Sequence, residues 1–99
     1  MTVREAFARS INTVAVELSE ETGRENVVDM AKRLGITTDV SPVASLPLGT
    51  EEVRLIDLTG AYAVLANGGY RTEPYGIVEI TSLEGEVLYR RRAEVPQKL

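Results

Sequence analysis

Histidine and cysteine are both missing from the 99 residues. Without cysteine no disulfide can form, and without either residue there is neither a Cys/His zinc site nor an imidazole base. A Ser-His-Asp or Cys-His hydrolase complete within the chain is thereby excluded. Long apolar runs are lacking too, since none approaches the ~20 residues that span a bilayer. Met1-Thr2-Val3-Arg4 is not followed by the apolar core of a signal peptide. Charge of one sign is nowhere concentrated: 11 basic residues stand against 15 acidic ones, net −4. Residues 1–50 carry 5 basic and 7 acidic side chains and residues 51–99 carry 6 and 8. Neither a basic half suited to phosphate backbones nor an acidic tail exists. The lack of cysteine fits any compartment. With 43% hydrophobic and 26% charged residues, the composition is that of one soluble globular domain. A chain of this length buries roughly 60–70% of its unfolded surface, enough for one modest core.

Periodicity supplies the elements. Thr2 and Glu5 have capping-box spacing, and Val3, Ala6, Phe7, Ile11, Val14, Ala15 and Leu18 recur at helical intervals. Thr2–Thr22 therefore reads as helix, stopped by Gly23 as a left-handed cap. Ser10-Ile11-Asn12-Thr13 interrupts it with small polar residues that compete for backbone hydrogen bonds. Two helices meeting near Ser10–Asn12, with Asn12 capping the second, explain this pattern better than one rod. Arg24–Leu34 is the next helix, with Gly35 its stop, and Thr37–Thr50 reads as an ordered loop. Leu55–Asn67 has almost no polar face, which predicts a helix buried all round, ended by Asn67-Gly68-Gly69. Beyond Pro74 the period changes to two: Tyr75–Thr81 and Glu86–Arg90 read as strands joined across Ser82–Gly85. Arg91–Leu99 has no periodicity and is expected to be a loose tail. The fold class is thus mainly α with a C-terminal β-hairpin (α+β), residues 1–90 forming three to four helices plus the hairpin.

The helix junction is the place where chemistry could live. There a hydroxyl (Ser10) and a carboxamide (Asn12) are freed from a helix face; the first can relay a proton, the second can donate to and accept from a peptide group. As a bare pattern Ser-x-Asn is common, and ending one helix and starting the next would account for it.

The surroundings are more specific. Val3-Arg4-Glu5-Ala6-Phe7-Ala8-Arg9-Ser10-Ile11-Asn12-Thr13-Val14-Ala15-Val16-Glu17-Leu18 resembles the region around the second active-site motif of penicillin-binding proteins, closest to the transpeptidase domain of the bifunctional class A type. The resemblance continues in order through Val28–Ile36, Ser45–Val53, Asp57–Gly69, Tyr75-Gly76-Ile77 and Leu83–Leu88, covering about residues 3–90. It implies a fragment of a penicillin-binding protein/β-lactamase-like transpeptidase domain. The implied enzyme is a serine-type peptidoglycan DD-transpeptidase: a serine attacks the D-Ala-D-Ala end of a stem peptide, and a neighbouring strand's amine resolves the acyl-enzyme into a cross-link. β-Lactams mimic that end and trap the serine. Ser10 would be the hydroxyl of the proton relay, and Asn12 would both take part in catalysis and hold the amide of substrate or antibiotic. No metal or cofactor is implied. The parent would be anchored in the cytoplasmic membrane with its catalytic domain outside.

This sequence departs from the family's three-motif pattern of Ser-x-x-Lys, Ser-x-Asn and Lys-Thr-Gly. Three residues after Ser10, Ser19, Ser41, Ser45 and Ser82 stand Thr13, Thr22, Ala44, Leu48 and Gly85, none of them lysine. Lys32 and Lys98 precede Arg33 and Leu99, so Lys-Thr-Gly is absent. The nucleophile is expected upstream of Met1 and the third motif downstream of Leu99, which leaves the isolated chain inactive.

Other features read as structural. Gly68-Gly69 is a helix stop rather than a phosphate loop. Arg90-Arg91-Arg92 is a solvated strand end, Glu20-Glu21 and Glu51-Glu52 are helix-end charges, and Tyr62 and Tyr70 are expected in the core. Two rivals stand beside the transpeptidase reading: a winged-helix nucleic-acid-binding module, against which the net charge of −4 weighs, and a non-enzymatic interaction domain derived from a transpeptidase. Nucleic acid is therefore not an expected partner. An all-apolar helix and an unpaired hairpin edge predict that the chain by itself forms a homodimer.

Overall fold

The computed structural model describes all of residues 1–99. The first helix, α1 (Val3–Ala8), opens on the expected capping box: the Glu5 N–H donates to Thr2 Oγ1 (3.2 Å) and the Thr2 N–H to the Glu5 carboxylate (3.4 Å). After the corner at Arg9–Ile11 comes α2 (Asn12–Thr22), then α3 (Arg24–Arg33). Gly23, at φ 96° and ψ 123°, is at once the last residue of α2's cap and the first of α3's. This lies outside the left-handed helical region expected of it, because here the chain turns directly into another helix. Arg24 Nε bonds back to Glu20 (2.6 Å) and the Asn26 amide to the Thr22 carbonyl (2.7 Å), tying α3 to the end of α2.

The loop after α3 contains a short 3-10 turn, Leu46–Leu48. Hydroxyls hold it in shape: Ser45 Oγ and Thr50 Oγ1 are 2.8 Å apart, and Thr38 Oγ1 donates to the Glu52 carbonyl at 3.1 Å. Helix α4 (Leu55–Ala66) follows. Its first-turn Asp57 accepts from both the N–H (3.0 Å) and the hydroxyl of Thr37, pinning the far end of the loop.

The expected hairpin is present, and a second, separate two-stranded sheet accompanies it. In one, β2 (Glu79–Thr81) pairs antiparallel with β3 (Val87–Arg90), with a bulge between Ile80 and Thr81. The expected strand Tyr75–Thr81 thus shrinks to its last three residues; before them only the Val78 carbonyl is engaged, by the Arg91 N–H (2.7 Å). In the other, β1 (Tyr70–Arg71) pairs with β4 (Gln97–Lys98), Tyr70 opposite Lys98 and Arg71 opposite Gln97. The supposed loose tail therefore folds back beside the end of α4, the Leu99 N–H donating to the Gly69 carbonyl (2.8 Å). Backbone pairing asks nothing of side-chain alternation, and so left no periodic trace.

Burial is sparse. Only Ala6, Ser19, Val28, Ile36, Gly60, Ala61 and Val64 are buried, in a body 61 × 26 × 22 Å. The radius of gyration is 17.9 Å, against about 13 Å for a compact domain of this length. Of the largely apolar α4, expected to be buried all round, only Gly60, Ala61 and Val64 are buried; Leu55 and Leu65 are 79% and 72% exposed. Tyr62 and Tyr70, expected in the core, are exposed as well. No helix is long and apolar enough to cross a membrane.

Candidate functional site

The corner between α1 and α2 is built by two hydrogen bonds. The Ile11 N–H reaches back to the Ala6 carbonyl (3.0 Å) and the Ser10 N–H to the Phe7 carbonyl (3.2 Å). These are the 6→1 and 5→2 bonds of a Schellman motif, with Ser10 at the left-handed position that follows the cap. Its φ is 55°, the only positive φ among non-glycine residues of the chain. This conformation leaves no mark in the residue types, because serine does not demand a left-handed backbone.

The chain then re-enters helix at once. Ile11 occupies the N-cap position of α2 and makes no side-chain cap bond; Asn12 is the first helical residue. The expected capping role of Asn12 is therefore wrong. Its carboxamide lies one position too late to take an orphan N–H of the first turn, and it is free for another partner. Neither the Ser10 hydroxyl nor the Asn12 amide bonds to any group of the chain.

Both side chains line one groove of about 340 Å³. Its walls are apolar: Phe7, Ile11, Val14 and Leu18 from the two helices, Pro47 and Leu48 from the 3-10 turn. The turn is the part of the site that sequence reasoning missed; Pro47 and Gly49 mark a bend, but nothing in their spacing says which helix it packs against. No charged residue lines the groove. A serine hydroxyl with no base beside it is a weak nucleophile, so Ser10 is equipped to donate, accept and relay rather than attack. A hydroxyl and a carboxamide on an apolar wall can together hold a peptide-like group. No three Asp or Glu side chains converge as they would to bind a metal ion.

A second, polar cleft lies on α4, lined by Arg54, Asp57, Arg71 and Glu73 among others. The Asp57 carboxyl is held below its ordinary value, chiefly by the hydroxyl of Thr37 and then by the Thr37 N–H; desolvation opposes them, and the Arg54 charge adds the least. Arg90 and Arg91 are less idle than a solvated strand end. Arg90 pairs with Glu79 across the hairpin (2.6 Å), and the Arg91 guanidinium lies 3.7 Å from the centre of the Tyr75 ring.

The sequence was also compared with those of known proteins. The model of the penicillin binding protein transpeptidase domain matches residues 1–99. The chain is 41% identical, over its full length, both to penicillin-binding protein 2D of Bacillus subtilis and to penicillin-binding protein 1A of Aquifex aeolicus. It is 40% identical over 92% of its length to penicillin-binding protein 1A of Rickettsia typhi. It spans 12–14% of the length of these relatives.

Proposed function

The chain belongs to the transpeptidase-domain family of penicillin-binding proteins, and from that premise we propose that it supplies the Ser-x-Asn part of a peptidoglycan DD-transpeptidase site. In this reading a serine outside these 99 residues attacks the penultimate carbonyl of a D-Ala-D-Ala stem peptide. The carbonyl oxygen takes the electron pair, the tetrahedral centre collapses, and D-alanine leaves as the amine accepts a proton. Ser10 passes that proton from the nucleophile's side to the leaving nitrogen, and Asn12 holds the amide of the acyl donor. An amine from a neighbouring strand then takes the acyl group and the serine recovers its proton. A β-lactam enters the same site but keeps its leaving nitrogen tethered, so the acyl-enzyme persists. The parent works on the outer face of the cytoplasmic membrane, where its stem-peptide substrate is.

The observation that carries this reading is that Ser10 and Asn12, free of partners within the chain, line one uncharged groove. Without a base or a Ser-x-x-Lys nucleophile, the 99 residues alone form no covalent penicillin adduct. Intact-protein mass spectrometry after incubation with a labelled β-lactam tests this. An unchanged mass is expected, and a stoichiometric adduct on Ser10 or any other serine contradicts the assigned roles. Taken by itself the chain also pairs with a second copy through the exposed face of α4, the hairpin edge or both, since each lacks a cover of its own.

A further inference from the structure

We infer that the left-handed backbone of residue 10, and not its hydroxyl alone, belongs to the working site; this rests on the transpeptidase reading and adds a conformational requirement to it. The position is one that helices ordinarily fill with glycine, since a Cβ there crowds the following carbonyl. The six other residues at positive φ in this chain are all glycine. At the α1–α2 corner the same conformation is imposed on a serine, by the Ile11-to-Ala6 and Ser10-to-Phe7 hydrogen bonds. Two neighbours reinforce it: Ala6 is buried under the corner at 3% exposure, and the Ile11 side chain lies in the groove wall. Glycine would relieve the strain and lose the hydroxyl. An extended or right-handed serine would keep the hydroxyl and swing it away from the direction that the corner gives it. Strain of this kind persists where the surrounding structure over-determines it, and it clusters at functional sites.

The consequence separates two residues that both carry a hydroxyl. Threonine keeps the oxygen, but its β-branch makes it a poor left-handed residue, whereas asparagine tolerates that backbone and has no hydroxyl. In a longer polypeptide that joins this chain to a Ser-x-x-Lys nucleophile, Ser10→Thr is expected to slow acylation by a labelled β-lactam roughly 10²-fold, the scale of a misplaced catalytic group. Ser10→Asn is expected to abolish the hydroxyl's contribution while melting about 4–8 °C above Ser10→Thr in the 99-residue chain. Acylation of Ser10→Thr at the wild-type rate, with Ser10→Asn impaired, overturns the backbone requirement and leaves the role of the hydroxyl standing. Wild-type rates in both variants overturn the transpeptidase role of residue 10 as well. A Ser10→Asn chain that melts below Ser10→Thr shows that the corner does not impose the conformation.

Discussion

Asp57 is the residue whose protonation the fold reads most directly. Its carboxylate accepts two hydrogen bonds from Thr37, and those bonds favour the charged form. A carboxyl whose folded value lies below its unfolded one adds stability that is complete above the unfolded value, 3.8, and is lost as pH falls through the lower folded value. Asp57→Asn should therefore lower the melting temperature at neutral pH, and the gap to wild type should close as the pH is taken below 3.8. Thermal melts of both proteins across that range measure it; a gap that stays constant or widens in acid would show that Thr37 is not holding the charge. Single residues were also where sequence reading fell shortest. Ser10 and Asn12 could be singled out, from their place at a helix break and their neighbours. The left-handed turn at Ser10 could not, because it follows from hydrogen bonds to Phe7 and Ala6 that no periodicity encodes, nor could the entry of Asn12 into the helix directly after it. Tyr62 and Tyr70 look like core residues by type alone, but burial depends on what lies opposite, and nothing covers them.

At the scale of elements, the helices were legible because their signals are local. The Thr2/Glu5 capping box, the apolar spacing and the glycines at positions 23, 35 and 68 lie within a turn of the structure they specify. Strands depend on partners far along the chain, which is why Tyr75–Val78 read as strand and Gln97–Lys98 as tail. Helix α4 shows why a local rule can mislead about stability. Gly60 sits in its interior, where alanine is ordinarily worth up to ~1 kcal/mol. Here Pro74 packs against the helix so closely that a Cβ on residue 60 would lie 2.9 Å from Pro74 Cγ and 3.3 Å from Cδ. Overpacking of this kind costs about 1–3 kcal/mol, so Gly60→Ala should destabilise despite the better propensity. Adding Pro74→Ala should recover part of the loss. Denaturant titration of the single and double variants decides the matter, and a stabilised Gly60→Ala would mean that Pro74 does not press on α4.

The whole molecule is elongated, with only seven buried residues. Fully burying one large apolar side chain is worth about 1.5–3 kcal/mol, so leaving Leu55, Tyr62 and Leu65 mostly in water forgoes a sum comparable to the lower end of a small domain's stability. Sedimentation of the 99-residue chain at tens of micromolar should therefore show a dimer, and Leu65→Lys should return it to monomer. A monomeric wild type that unfolds cooperatively would rule out the proposed pairing. Family membership was legible in the spaced blocks from Val3 to Leu88, whereas the groove that joins the Ser-x-Asn corner to the Pro47-Leu48 turn became visible only in three dimensions. The roles assigned to that corner are tested most directly by the rate of acylation, with a labelled β-lactam, of a longer polypeptide joining this chain to its nucleophile. Ser10→Ala and Asn12→Ala should each slow it by roughly 10²–10⁴-fold, the scale of losing a proton-transfer group or an oriented hydrogen bond, with stability changed by no more than about 2 kcal/mol. Acylation at the wild-type rate in both variants would leave the corner as nothing more than the junction of two helices.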